Sequence, residues 1–300
     1  MLIGAHVSPA GGLAKAIERG EQRSCEAIQI FNQSPRMWRP TAYSEDDFAA
    51  FREAMAPSAI GAVLIHAVYL VNCASEDRDI RAKSLASLTQ SLRVGAGIGA
   101  AGVVLHAGSA KTGDVGKAIT RAGETIAAAL GDSEGCELHL ENTAGTGGTL
   151  GRSFAELAAL LEASGGDERM GVCLDSCHLL ASGYEIRTPE AMASVMREAR
   201  RELGPGRVRS LHLNDSKTPL GSNRDRHDNV GKGELGEAGA QAFLCARGLQ
   251  RLPCVLETPG ENREGPPREE IEYVRALHAR GMRKAAKATP AKAKRSRRPA

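Results

Sequence analysis

The run Gly102-Val103-Val104-Leu105-His106 is apolar and β-branched until it closes on a histidine. Thirty-five residues on, Glu137-Leu138-His139-Leu140-Glu141 repeats the pattern and closes on a glutamate. Short apolar runs bounded by turn residues read as buried strands. Between the two, Val115, Ala118, Ile119, Ala122 and Ile126 recur at the helical period. The same unit repeats along the chain. Strands are expected at 2–6, 27–31, 62–66, 102–106, 137–141, 171–175, 208–212 and 253–257. The last six of these end 40, 35, 34, 37 and 45 residues apart, room for a helix and two loops each. Ser153-Phe154-Ala155-Glu156 has the form of a capping box, and Thr188-Pro189 that of an N-cap followed by proline. Eight alternating units predict an α/β fold, a closed parallel (β/α)8 TIM barrel. An open doubly wound sheet is the alternative, but no G-x-G-x-x-G follows an early strand.

The expected strand ends are His6, Phe31, His66, His106, Glu141, Asp175, His212 and Glu257. In a parallel barrel these ends converge on one mouth, where active sites lie. Side-chain alternation turns Val103 and Leu105 toward the helices and Val104 and His106 toward the axis; Glu141 also faces the axis. One polar residue at a strand end is an ordinary loop border. Six in succession would crowd three carboxylates and three imidazoles together, and bound cations are the direct remedy for such repulsion. Two loops extend the set: His178, three residues past Asp175, and the pair Asp225 and His227, spaced to chelate from one side. These nine donors exceed the needs of one ion, so two or three are expected. Histidine and carboxylate without thiolate suit zinc, with manganese or iron as alternatives. Cys173 and Cys177 are expected to pack. His139, one layer below Glu141, is expected either to hydrogen-bond that carboxylate or to pack in the core.

The chain has 300 residues, 42% hydrophobic and 25% charged, enough for a large core. No run of 18 apolar residues exists, which excludes a spanning helix of that length. Charges at Lys15, Glu18, Arg19, Glu21, Arg23 and Glu26 argue against a secretory signal. Seven cysteines without a disulfide-like framework fit a reducing, cytoplasmic setting. The net charge of +3 hides an asymmetry: residues 283–300 carry eight basic residues and no acid, which leaves 31 basic against 36 acidic residues in 1–282. A barrel domain over 1–282 is therefore expected to end in a disordered basic tail, either a solvated terminus or a polyanion-binding arm.

Longer motifs narrow the reading. Gly4-Ala5-His6-Val7-Ser8 with Gly11-Gly12-Leu13, Asn142-Thr143-Ala144-Gly145 after Glu141, Gly171-Val172-Cys173-Leu174-Asp175-Ser176-Cys177-His178, His212-Leu213-Asn214-Asp215 and Asp225-Arg226-His227 resemble the signatures of the endonuclease IV family of apurinic/apyrimidinic endonucleases. The resemblance runs over about residues 1–280. It implies a centre of three zinc ions, with manganese able to take one position. His66, His106 and Glu141 would hold the first; Glu141, Asp175, His212 and Glu257 the second; His178, Asp225 and His227 the third. It further implies hydrolysis of the phosphodiester 5′ of an abasic site in double-stranded DNA, leaving 3′-hydroxyl and 5′-deoxyribose phosphate ends, and removal of 3′ blocking groups. Glu141 and Glu257 are the expected catalytic carboxylates. Arg36, Tyr69 and Leu70 match positions that enter the duplex, and a monomer is expected. Met37 and Thr146 stand where glutamine is commoner in that family, and His139 where an aliphatic residue is usual. A sugar isomerase or epimerase on the same barrel is the competing reading, with fewer ions; a barrel kept only as a DNA-binding scaffold is another.

Overall fold

The computed structural model describes residues 1–260 and 264–288. Its strands are β1 (Leu2–His6), β2 (Ala27–Phe31), β3 (Ala62–His66), β4 (Gly102–Leu105), β5 (Leu138–Glu141), β6 (Met170–Asp175), β7 (Val208–His212), β8 (Asp215–Ser216), β9 (His227–Asp228) and β10 (Pro253–Leu256). Its helices are α1 (Lys15–Gln22), α2 (Glu45–Met55), α3 (Arg78–Ile98), α4 (Val115–Gly131), α5 (Phe154–Ala163), α6 (Ser176–Ser182), α7 (Pro189–Leu203), α8 (Gly236–Leu244) and α9 (Arg268–Ala288). Eight strands close in the order β1-β10-β7-β6-β5-β4-β3-β2, and β8 and β9 form a separate two-stranded sheet. Every neighbouring pair in the barrel is parallel. The TIM barrel expected from the strand spacing is the observed fold.

The core has two zones, as strand alternation requires. Val103 and Leu105 pack outward against the helices, in the same cluster as Ala118, Ala122 and Ile126 of α4. Val104 belongs to a small axial cluster with Ala27, Leu64, Cys173 and Val255. Val115 is the exception to the α4 pattern: it begins the helix and is exposed. Thr188 caps α7 through Ala191 N–H, with proline in the first turn. Ser153 caps α5, but the Glu156 carboxylate accepts from Gly151 and Arg152 N–H instead of closing the box on Ser153.

Three local readings are corrected by the structure. His178 lies in the first turn of α6, not in a loop, because the Asp175 carboxylate caps that helix by accepting from His178 N–H at 2.7 Å. His227 begins β9, paired antiparallel with Ser216, where the long β7–β10 interval was expected to hold only loops and a helix. The last helix also runs on to Ala288, six residues into the stretch expected to be disordered. Arg283, Lys284, Ala285, Ala286 and Lys287 are strong helix formers, so propensity carries α9 onward. Residues 289–300, the rest of the expected tail, lie outside the described residues.

The end of α9 stands far from the mouth. Arg275 donates to the Ser24 carbonyl and pairs with Glu26, and His278 bonds Gln250 at 2.7 Å; all three partners precede the strands they lead into. No described helix is long and apolar enough to cross a membrane. All seven cysteines are free thiols.

Gly4 of β1 is registered between Ala27 and Val255, and a Cβ there would collide with the Ala27 backbone. Gly4→Ala should therefore push β2 off β1 and cost about 3 kcal/mol of stability. A urea melt would show a lower midpoint at unchanged slope; an unchanged midpoint would contradict this close approach.

Candidate metal centre

The nine expected donors meet at the mouth in three groups, two of which share Glu141. His66, His106 and Glu141 form the first, Glu141, Asp175, His212 and Glu257 the second, and His178, Asp225 and His227 the third; within each, the donor atoms lie no more than 4.8 Å apart. Glu141 sits at the centre. Its Oε2 is 3.2 Å from His66 Nε2 and 2.9 Å from His106 Nε2, and its Oε1 is 3.0 Å from His212 Nδ1 and 3.3 Å from His178 Nδ1. Glu257 Oε2 approaches His212 Nδ1 at 3.3 Å. Asp225 bridges the third group, 3.2 Å from both His178 Nε2 and His227 Nε2. Asp175, Cys177 and His227 make a further cluster, but burial pushes the Cys177 thiol up to about 12, so it stays protonated and packs.

The electrostatics are those of a site built around positive charge. The carboxylates of Glu141, Asp175 and Glu257 have only imidazoles as ionic partners among the described residues. Burial works against ionisation of Glu141, yet His106 and His212 outweigh it and hold its carboxyl well below the usual range. Burial likewise opposes Glu257, and His212 with His66 brings it down to about 2. Burial alone would neutralise His178 and His212. Asp175 and Asp225 raise the former well above its ordinary value, and Cys173, Glu257 and Glu141 raise the latter. Protons on the rings thus supply the charge that cations would otherwise supply.

The ring orientations fit metal ions better than protons. His66 Nδ1 faces the Ala67 carbonyl at 2.7 Å and His178 Nδ1 the Asn142 carbonyl at 2.8 Å. Each carbonyl fixes the proton on Nδ1 and leaves the Nε2 lone pair pointing into the site. His178 Nε2 and His227 Nε2 are buried with no hydrogen-bond partner among the described residues. A buried imidazole nitrogen without a partner, aimed at a carboxylate, is what a ligand needs.

Several residues that hold this arrangement were not expected from the sequence. Asn214 donates to Asp175 Oδ2 at 2.6 Å and accepts from Glu257 N–H at 2.8 Å. Asn142 Oδ1 accepts from Asp175 N–H. The buried Asp215 carboxylate accepts from the backbone of Ser216, Gly231, Leu235 and Gly236, clamping both ends of the loop that carries Asp225 and His227. Thr146 ties the same loop, donating to the Asn223 carbonyl and accepting from Asp225 N–H. Gln29 of β2 touches three residues of the site. His139 does not reach Glu141: its ring nitrogens meet Ser210 Oγ at 2.9 Å and Glu137 Oε2 at 3.0 Å.

Two clefts flank the centre and share Tyr69 and Glu257. One, of about 1030 Å3, lies over His6, Gly12 and Arg23; the other, of about 620 Å3, runs past Trp38, Leu70 and Asn72. Tyr69 is 70% exposed, with its ring centroid 5.3 Å from Phe31 and 5.8 Å from His66. Leu70 is half-buried against the core, and Arg36 is exposed on the loop after β2.

Barrel and site together define a protein of the class described as Xylose isomerase-like TIM barrel, and that family matches residues 17–277. Within it the relatives are specific. A protein named Probable endonuclease 4 from Trichlorobacter lovleyi is 36% identical over 92% of this chain and 99% of its own length. One of the same name from Halorhodospira halophila is 38% identical over 91% and 92%. The crystal structure of endonuclease IV from Thermus thermophilus superposes with a TM-score of 0.80 at 36% identity, covering 95% of this chain and all of that one. The chain belongs to the endonuclease IV family, a family of nucleases that hydrolyse phosphoric diesters. A D-tagatose 3-epimerase-like protein matches with a TM-score of 0.69 at 15% identity, a likeness of fold alone.

The charge balance makes the metal-free protein pH-sensitive in a definite sense. His178 and His212 are raised, so their contribution to stability is full below the ordinary imidazole value and is lost as pH climbs through their folded values. Glu141 and Glu257 are lowered, so theirs is present above the ordinary carboxylate value and lost in acid. Metal ions require neutral rings and reverse the trend on the alkaline side. The melting temperature of chelated protein should fall as pH rises above about 6.5, while that of zinc-loaded protein holds or rises. Parallel profiles would contradict this account.

Proposed function

We propose that the protein is a zinc-dependent repair nuclease that incises double-stranded DNA 5′ of abasic sites and also clears 3′ blocking groups. The observation that carries this reading is the pair of donor groups sharing Glu141, with His178, Asp225 and His227 forming a third group beside them. An isomerase-type site needs no such third group. His66, His106 and Glu141 would hold one ion, Glu141, Asp175, His212 and Glu257 a second, and His178, Asp225 and His227 a third. Bound zinc ions supply Lewis-acid chemistry, lowering the pKa of a water and offsetting charge on the phosphate and the departing 3′ oxygen. Manganese could replace zinc in one group.

The side chains supply the rest. The reaction joins a water oxygen to phosphorus as the P–O3′ bond breaks. Glu141 and Glu257 are the catalytic carboxylates of this reading. Both are ionised, and Glu257 at the shared rim of the two clefts is placed to accept the water's proton. Tyr69 and Leu70 stand beside the centre as an exposed ring on a half-buried apolar base, suited to fill a step where a base is missing. Arg36 offers a guanidinium to the backbone of the same duplex. A monomer in the cytoplasm suffices, since one chain supplies every donor.

The direct test is incision of a duplex carrying one tetrahydrofuran abasic analogue. Wild-type protein should cut 5′ of the lesion and lose the activity to a chelator. Glu257→Gln should cut at least about 100-fold more slowly while still binding the duplex, because phosphate contacts position DNA independently. Turnover near wild type in the metal-replete variant would refute the assignment.

The basic tail is proposed as a separate DNA-backbone contact, because α9 leaves the barrel opposite the mouth. Residues 289–300 carry five positive charges. If half of them meet phosphates, truncation after Ala288 should flatten the salt dependence of binding by about 2 log units per log salt, equally on damaged and intact duplex. Tyr69→Ala should instead weaken binding to abasic duplex selectively. An unchanged slope would leave the tail without a DNA role, and equal losses for Tyr69→Ala would make that ring a loop anchor.

A further inference from the structure

Gln29 is out of place by its surroundings. It lies in the middle of β2, in the apolar run Ala27-Ile28-Gln29-Ile30-Phe31, and is wholly buried. A buried amide is costly unless its polar atoms are paired. Every partner of this one belongs to the mouth. Its Oε1 lies 2.8 Å from His212 Nε2, and its Nε2 lies 2.6 Å from Glu257 Oε1 and 3.2 Å from His6 Nδ1. Only one orientation of the amide satisfies both strong contacts: the carboxylate requires the NH2 group, so the carbonyl oxygen faces His212.

That orientation has a consequence for His212. The amide oxygen can only accept, so His212 Nε2 must carry the proton. The ring's lone pair is then on Nδ1, which points at Glu141 Oε1, Glu257 Oε2 and Asp175 Oδ2. The other buried rings are set the opposite way. His66 and His178 give their Nδ1 protons to backbone carbonyls and present Nε2. His212 has no such carbonyl; a side chain from the far side of β1 does the work. The same amide occupies Glu257 Oε1, which leaves Oε2 as the oxygen turned to the cluster.

We propose that Gln29 is a positioning residue for the second donor group, fixing His212 as an Nδ1 ligand and Glu257 as a one-oxygen ligand. This rests on the reading above that Glu141, Asp175, His212 and Glu257 hold a metal ion. Gln29 touches no reacting atom in this role; it sets which atoms of its neighbours face the ion.

Two measurements test the proposal. The first needs no variant. Long-range proton–nitrogen correlation spectra of zinc-loaded wild-type protein should show His212 protonated at Nε2 with the metal on Nδ1, and His66 and His178 the reverse. His212 with its metal on Nε2 would overturn the proposal. The second is chelator competition with zinc for wild-type protein and Gln29→Met, which keeps the bulk and removes all three polar contacts. One ion per chain should be lost at a chelator strength about 10–100-fold weaker than in wild type, with the remaining ions held as before. A purely structural role would lower the melting temperature of the metal-free variant and leave all zinc affinities alone, and that result would overturn the proposal. Should wild-type protein hold no ion in this group, the functional reading fails and the positioning role with it. Equal affinities in a wild type that does hold the ion would overturn the positioning role alone.

Discussion

The Glu141 carboxylate is fully buried and stands within 3.3 Å of four imidazoles from three strands and a helix. A charge removed from water is tolerated only where other charges and hydrogen bonds surround it closely. The arrangement of the mouth follows from that need. β5 carries the carboxylate, β3, β4 and β7 each deliver one partner at or just past a strand end, and α6 returns His178 over the same group. Remove the central charge and four rings lose their common partner; remove the rings and the carboxylate is stranded. In the metal-free state protons on the rings keep the balance, and cations held by the same atoms would replace them.

The scaffold around this centre is largely a set of devices that aim side chains. The α6 cap sets the His178 backbone on Asp175. Asn214 spans Asp175 and Glu257, the two carboxylates on either side of β7. Asp215 clamps a long loop at its base, and Thr146 ties it near Asp225, so two donors on an exposed excursion return to a fixed place. Asp225 remains 45% exposed and His106 31%, so the centre is open on that side, where a phosphate could approach. The opposite end of the barrel holds the basic end of α9, away from the donors at the mouth.

The fold was legible because its signal is repetitive and local. Four of the eight strands, β1, β2, β3 and β7, have the bounds their apolar runs imply, and the others differ by one residue at an end. The donors were legible for a related reason: strand ends converge in a barrel, so position along the chain translates into position in space. What escaped detection depends on long-range partners. Gln29 meets residues 183 and 228 positions away, and nothing in Ala27-Ile28-Gln29 announces them. Asp215 bonds backbone groups up to 21 residues onward. His139 faced the axis as alternation requires, but Ser210 and Glu137 supply its partners one layer too low to involve Glu141. The helical end at Ala288 was obscured because basic composition resembles a disordered tail while its alanines and lysines favour helix.

The central claim is that nine side chains form one polynuclear centre around a shared carboxylate. The most direct measurement is elemental analysis of protein purified without added metal, normalised to chain concentration. The account predicts about three ions per chain, mostly zinc, since four-coordinate zinc takes three or four protein donors. A stoichiometry near one in active protein would contradict it.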